Sequence, residues 1–187
     1  EYTLWEKPTA CLGWVARVAR EKGLEDALVV AQNLNMRLKV WGYVEDEAYQ
    51  RQISDSDTEG LISWEGFVEH EQMRHVIGNC RVILVTPKWE EALGNSTVEA
   101  IAAGVPVCAY RRGGVSEIVR EGINGYFAVP DNCDELARGV HKCMSLDSER
   151  CRLSIVDTFS MDAFARDRTL VIFILYSITH AINYENT

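Results

Sequence analysis

Arg17 and Lys22 stand five positions apart in the stretch ARVAREKGLED, with Gly23 opening a helix-forming run. Fixed positive charge beside a helix N-terminus, where backbone N–H groups lack partners, suits a polyanion such as a diphosphate. Two solvated bases beside an acidic helix start would read the same way. A second loop, TPKWEEALGNSTVEAIAAG, carries Glu91 and Glu99 with Gly94 between them at a helix start. Glu91 on the loop and Glu99 in the first helical turn could both face one ligand. Gly94 and Asn95 leave backbone N–H groups able to approach an anionic oxygen closely. Ser96 and Glu99 also spell an S-x-x-E capping box, in which Glu99 would serve only its own helix. The third loop, RRGGVSEI (Arg111–Ile118), joins two bases, which could simply be solvated, to two glycines suited to a tight turn or close approach to a ligand.

Each of these loops follows a short apolar run. CLGWVA (Cys11–Ala16), LKVWG (Leu38–Gly42), RVILV (Arg81–Val85), VPVCAY (Val105–Tyr110) and GYFAV (Gly125–Val129) read as buried strands, and LISWEGFV adds a strand with its exit turn. Between them lie helical stretches. Leu24, Leu28 and Ala31 recur at the spacing of one buried helix face, with Glu25 and Asp26 in the first turn, where the helix dipole favours acids. EDEAYQRQI, HEQMRHVIG, STVEAIAAG and DELARGVHKCM follow as helices, and SDSDTEG (Ser54–Gly60) as a polar surface loop. Strand and helix alternate through about six strands, and no strand pair is joined by a two-residue hairpin. The fold class expected is α/β: a Rossmann-like three-layer sandwich around a mostly parallel sheet. Such sheets bind ligands beyond the carboxyl ends of their strands, where the loops above lie.

The 187 residues suit one domain, and 47% apolar composition supplies a sizeable core. A net charge of −9 argues against an unaided nucleic-acid or anionic-membrane binder, which needs a basic face. The six cysteines show no CxxC spacing and read as buried free thiols. The four histidines form no metal-ligand pattern, so no metal site is expected. No signal-peptide pattern opens the chain, and the apolar run RTLVIFILYSITHAI is short of the ~20 residues that span a bilayer. The expected compartment is the cytoplasm. The apolar run could form a helix or, from its β-branched content, a strand. A nicotinamide oxidoreductase would need G-x-G-x-x-G after the first strand; Leu12–Gly23 holds only two glycines, ten apart.

Taken together and in order, the three loops resemble the C-terminal half of retaining GT-B glycosyltransferases, specifically glycosyltransferase family 4, from about Cys11 to Phe164. VARVAREKG is similar to that family's G-R-x-x-x-x-K-G segment, with Ala16 where glycine is usual. EEALGNSTVEAIAAGVPVCA is similar to its E-x-F-G-x-x-x-x-E-A signature, with Leu93 for the common phenylalanine, and RRGGVSEIVREGINGYFAVP resembles the stretch that follows. Within the family, the TPKWEEALGN approach and the YRRGG run are most similar to bacterial small-molecule glucosyltransferases such as those acting on pterins.

The resemblance implies a nucleotide-sugar donor domain over 11–164, preceded by a linker (1–10) and followed by an apolar C-terminal segment (165–187). Arg17 and Lys22 would hold the diphosphate, so no metal cofactor would be needed. Glu91 would bond the donor sugar, and Glu99 the ribose. Leu93, Gly94 and Asn95 would touch phosphate or sugar through their backbone, and the Gly66–Val68 turn would meet the base. The donor implied is a nucleoside-diphosphate sugar, UDP-linked by preference. The acceptor domain is the N-terminal half of the family's enzymes, which is missing from this chain. A nucleotide-sugar-binding module without catalysis, as a fragment or a subunit, is the alternative.

Overall fold

The computed structural model describes residues 10–90 and 94–159. The lead-in segment before residue 10, residues 91–93 and everything from residue 160, including the apolar 165–187, lie outside the described residues.

Every strand expected from the apolar runs is present: β1 (Cys11–Val15), β2 (Arg37–Trp41), β3 (Ile62–Gly66), β4 (Val82–Val85), β5 (Val107–Tyr110) and β6 (Gly125–Ala128). They form one six-stranded sheet in the order β3-β2-β1-β4-β5-β6, and all neighbouring pairs are parallel. Between the strands run α1 (Leu24–Leu34), α2 (Glu47–Ser56), α3 (His70–Gly78), α4 (Asn95–Ala102) and α5 (Val115–Ile118); α6 (Cys133–Cys143) and α7 (Ser148–Phe159) follow β6.

Alternate strand residues bury in opposite directions, which requires a covering layer on each face. Leu12, Trp14, Leu38, Val40, Val82, Leu84 and Tyr110 pack under α1, α2 and α6. Cys11, Trp41, Ile83, Val107 and Ala109 pack under α3, α4, α5 and α7. Each fully buried large side chain removes enough apolar surface from water to contribute roughly 1.5–3 kcal/mol, so both layers are firmly held to the sheet. The six cysteines are free thiols, five of them buried. Cys11 and Cys80 lie 3.9 Å apart at sulfur, and their hydrogen bond together with burial drives the Cys80 thiol well above its ordinary pKa. Burial pushes Cys151 up to about 12.

Three local features depart from expectation. The SDSDTEG stretch is loop only in its second half: α2 continues to Ser56, its start held by the Asp46 carboxylate on the Tyr49 N–H at 2.8 Å. Asp57 then accepts the Leu61 and Ile62 N–H groups, each at 2.9 Å, and so sets the approach to β3. The glycine that closes HEQMRHVIG suggests a left-handed helix stop, but Gly78 is the last residue of α3 and the helix ends at Asn79 in right-handed geometry. Finally, α5, α7 and a one-turn 3-10 helix at Arg20–Lys22 had no distinct apolar signature.

Candidate functional site

The strand order reverses direction between β1 and β4, and the chain leaves these two strands on opposite sides. The loops that follow therefore diverge and leave a crevice at the carboxyl edge of the sheet, where open α/β sheets take ligands. A cleft of ≈ 280 Å³ lies there, lined by Trp14–Arg17 and Lys22 from the β1 side. Leu84–Pro87, Gly94–Ser96 and Glu99 line it from the β4 side.

The β1 loop is short and tightly built. After Arg17 the chain makes its 3-10 turn and passes through Gly23 in left-handed geometry (φ 65°, ψ 42°) before entering α1. A Cβ at Gly23 would come within 2.1 Å of the Thr86 carbonyl oxygen, so this crossing admits only glycine. Thr86, almost fully buried, donates its hydroxyl to the Gly23 carbonyl at 2.8 Å and accepts the Trp14 indole N–H at 3.1 Å. The Lys88 N–H adds a bond to the Glu21 carbonyl at 2.8 Å. Lys22 is thus carried on a backbone pinned to the β4 exit, with its ammonium 5.1 Å from the centre of the Trp89 ring, itself 43% exposed at the surface. Arg17 pairs with two carboxylates, Glu45 through Nη1 and Glu21 through Nη2.

On the β4 side, α4 begins at Asn95 behind Gly94, which is left-handed (φ 64°) and provides no side-chain cap. Ser96 and Glu99 therefore occupy the second and fifth helical positions. The expected capping box is not formed, because it needs Ser96 itself as the cap. Glu99 stands in the second turn rather than the first, on the wall of the cleft. The first turn of α4 holds no acid, whereas α1, α2 and α6 each carry one or two there. Among the described residues, the first turn of α4 thus adds no carboxylate to the positive end of its dipole, which faces the cleft.

The structure brings Arg17, Lys22, Gly94, Asn95 and Glu99 to one cavity. Glu91 and Leu93 lie outside the described residues. Gly66 and Val68 lie at the exit of β3, two strands away; Gly66 is left-handed (φ 75°), and Val68 packs its side chain against the core. Among the described residues no group of three His, Cys, Asp or Glu is placed to hold a metal ion. Asp55 and Asp57 stand at D-x-D spacing; Asp55 lies in α2, and Asp57 is bonded to two backbone amides.

A second charge cluster has no sequence signal, because its members come from separate loops; Asp26 and Tyr110, in direct contact, are 84 residues apart. Asp26, 8% exposed, accepts from the Lys88 ammonium at 2.5 Å and from the Tyr110 hydroxyl at 2.6 Å. Lys88 also reaches Asp131 at 3.0 Å, and Asp131 accepts from Arg112 at 2.6 Å. Burial alone would lower the Lys88 pKa, but the bonds to Asp26 and Asp131 outweigh it and raise the ammonium above its ordinary value. Arg112, then Lys88, hold the Asp131 carboxyl below its usual range. Burial and the Asp26 bond drive Tyr110 upward. Neither arginine of the RRGG run is simply solvated. Arg112 also donates to the Pro87 carbonyl at 2.8 Å, while Arg111 stacks on Phe127 at 4.0 Å and pairs with Glu121 at 3.4 Å. Glu90 accepts the Gly113 N–H at 2.6 Å, tying the β4 exit to the β5 exit.

Comparison with known proteins places this geometry. The chain is 28% identical over 142 residues to an uncharacterized glycosyltransferase of Methanocaldococcus jannaschii, covering 71% of this chain and 35% of that protein. It is 30% identical over 139 residues to the 2-deoxystreptamine glucosyltransferase of Streptomyces kanamyceticus, covering 71% and 36%. The chain thus spans about a third of the length of these relatives. Among solved structures, HepE of Anabaena in complex with UDP and glucose superposes with a TM-score of 0.69 at 22% identity, over 92% of this chain and 48% of that one. The sucrose-phosphate synthase of Thermosynechococcus elongatus superposes with a TM-score of 0.75 at 23% identity, over 95% and 46%. These superpositions establish a shared fold. The family described as Glycosyl transferases group 1 matches residues 4–155, and the chain belongs to that family.

Proposed function

We propose that this chain is the donor-binding half of a family 4 glycosyltransferase, that it holds a UDP-linked sugar in the β1–β4 cleft, and that the complete enzyme transfers the sugar with retention and without a metal. The observation that carries this reading is the convergence of Arg17, Lys22 and the acid-free N-terminus of α4 on one cavity at the switch in strand order. Fixed cations and helix N–H groups together suit a diphosphate. Structures of HepE with UDP-glucose and of Staphylococcus aureus TarM with UDP share the fold, which supports the choice of nucleotide.

In this reading Arg17 and Lys22 offset the charge that builds on the departing diphosphate, the electrostatic contribution that dominates many such reactions. Leu93, Gly94 and Asn95 contact the phosphate or the sugar through their backbone groups. Glu91 bonds a sugar hydroxyl and Glu99 the ribose. Gly66 and Val68 meet the base through their main chain. The acceptor hydroxyl attacks the anomeric carbon from the face that the diphosphate leaves. The bond to the phosphate oxygen breaks as the new glycosidic bond forms, and the hydroxyl proton passes to the leaving phosphate. Two fixed cations supply the charge that a divalent ion supplies in other transferases. The acceptor groups belong to a separate N-terminal domain, its ligand a small molecule in the manner of bacterial glucosyltransferases. The free thiols support a cytoplasmic location.

Calorimetric titration with UDP, GDP and ADP tests the donor site: saturable binding of UDP that Lys22→Ala weakens is expected, and equal binding by Lys22→Ala excludes the diphosphate role. Turnover of UDP-glucose with a supplied acceptor half separates an enzyme from a binding module.

A further inference from the structure

We infer that Glu45 and Glu21 set the affinity of the cleft for its polyanionic ligand by holding Arg17 until phosphate oxygens replace them. This rests on the reading that Arg17 meets the donor diphosphate. The two terminal nitrogens of the guanidinium go to different carboxylates: Nη1 to Glu45, and Nη2 to Glu21 at 3.1 Å. A guanidinium fork presents its N–H groups in fixed directions, and the pair that grips two carboxylates is the pair that grips a diphosphate. Ligand and carboxylates therefore compete for the same guanidinium and its charge.

Glu45 is delivered to Arg17 by the backbone. The exits of β1 and β2 are laced together, with the Val18 N–H on the Tyr43 carbonyl at 2.8 Å and the Glu45 and Asp46 N–H groups on the Val18 carbonyl at 3.3 and 3.2 Å. The neighbouring base Arg20 is already matched by Asp46 at 3.3 Å, leaving Glu45 to Arg17. Glu21 reaches Arg17 from one turn along the same loop. Arg17 and Glu45 are about half exposed, Glu21 somewhat less. Exposed pairs of this kind are weak and each shifts an equilibrium by about two- to fivefold. That strength suits a restraint that a diphosphate overcomes. Both carboxylates also place negative charge against Arg17, a residue of the cleft wall, which opposes an incoming anion.

The test is titration of UDP, and separately of inorganic pyrophosphate, into the 187-residue chain and its Glu45→Gln, Glu21→Gln and Arg17→Ala variants at one ionic strength. Coincident thermal melts establish that each variant folds, and Arg17→Lys replaces Arg17→Ala if that variant does not. Tighter binding by about two- to fivefold in each glutamine variant, lost when Arg17→Ala is added, is the expected result. Unchanged or weaker binding in the glutamine variants, with binding still dependent on Arg17, overturns the inference alone and makes the carboxylates bystanders or positioning groups. Wild-type chain that binds neither ligand, or binds UDP independently of Arg17, overturns the donor-site reading and the inference with it.

Discussion

The Thr86 hydroxyl lies 2.8 Å from the Gly23 carbonyl, joining the loop that leaves β1 to the loop that leaves β4 across the point where the sheet changes direction. Lys22 precedes this junction and Pro87 follows it, so this buried side chain, with the Lys88 N–H on the Glu21 carbonyl, holds the two walls of the cleft together. Thr86→Val keeps the shape but deletes the donor and orphans the Trp14 indole N–H. A loss of about 1–3 kcal/mol in urea unfolding is expected, the desolvation cost of a buried group left unpaired, together with weaker UDP binding.

Gly94 takes left-handed geometry, and a Cβ there would meet Val115 Cγ2 at 3.0 Å and Thr97 Oγ1 at 3.1 Å. Gly94→Ala should cost about 1–2 kcal/mol from backbone strain, with repacking against Val115 in addition. Equilibrium unfolding measures it, and a neutral result would mean that α4 starts elsewhere.

Lys88 neutralises Asp26 in a site that is neither open nor sealed, with side chains 28% and 12% exposed. Lys88→Met should therefore cost more than the ~1 kcal/mol of an exposed pair and less than the 3–5 kcal/mol of a fully buried one. Asp26→Asn in the same chain should restore part of that loss, because it removes the stranded charge. A double-mutant cycle reads the coupling directly, and strict additivity would show that the contact contributes nothing.

Asp131 titrates below its ordinary 3.8 in the folded chain because Arg112 and Lys88 hold it ionised. A folded pKa below the unfolded one contributes stability that is full above 3.8 and is lost as pH falls through the folded value. The stability difference between wild type and Asp131→Asn should be constant near neutrality and shrink below pH 3.8. A difference that does not change with pH would contradict the ion pairing.

The strands were legible because a sheet covered on both faces buries successive residues, so that Val82–Val85 reads as one continuous apolar run, and α1 because Leu24, Leu28 and Ala31 share one face. The cations of the cleft were legible because Arg17 and Lys22 lie in one loop. Of the two carboxylate partners of Arg17, Glu21 stands four residues on in the same loop, but Glu45 is 28 residues away and no local pattern ties it to Arg17. Likewise Asp26 reads as a first-turn acid serving the helix dipole, while its partners Lys88 and Tyr110 come from two other strand exits. The capping box failed for a local reason. Gly94 turns left-handed ahead of the helix, starts it at Asn95 and carries Ser96 past the capping position. The length of α2 depended on the Asp46 cap and on Asp57 engaging the start of β3, which a polar run such as SDSDTEG does not disclose.

The most direct test of the donor site is a crystal structure of this chain with UDP. The diphosphate should lie in the β1–β4 cleft within hydrogen-bonding distance of Lys22, Arg17 and the first N–H groups of α4. UDP bound elsewhere, or bound in the cleft with its phosphates turned away from Lys22 and α4, would contradict the account.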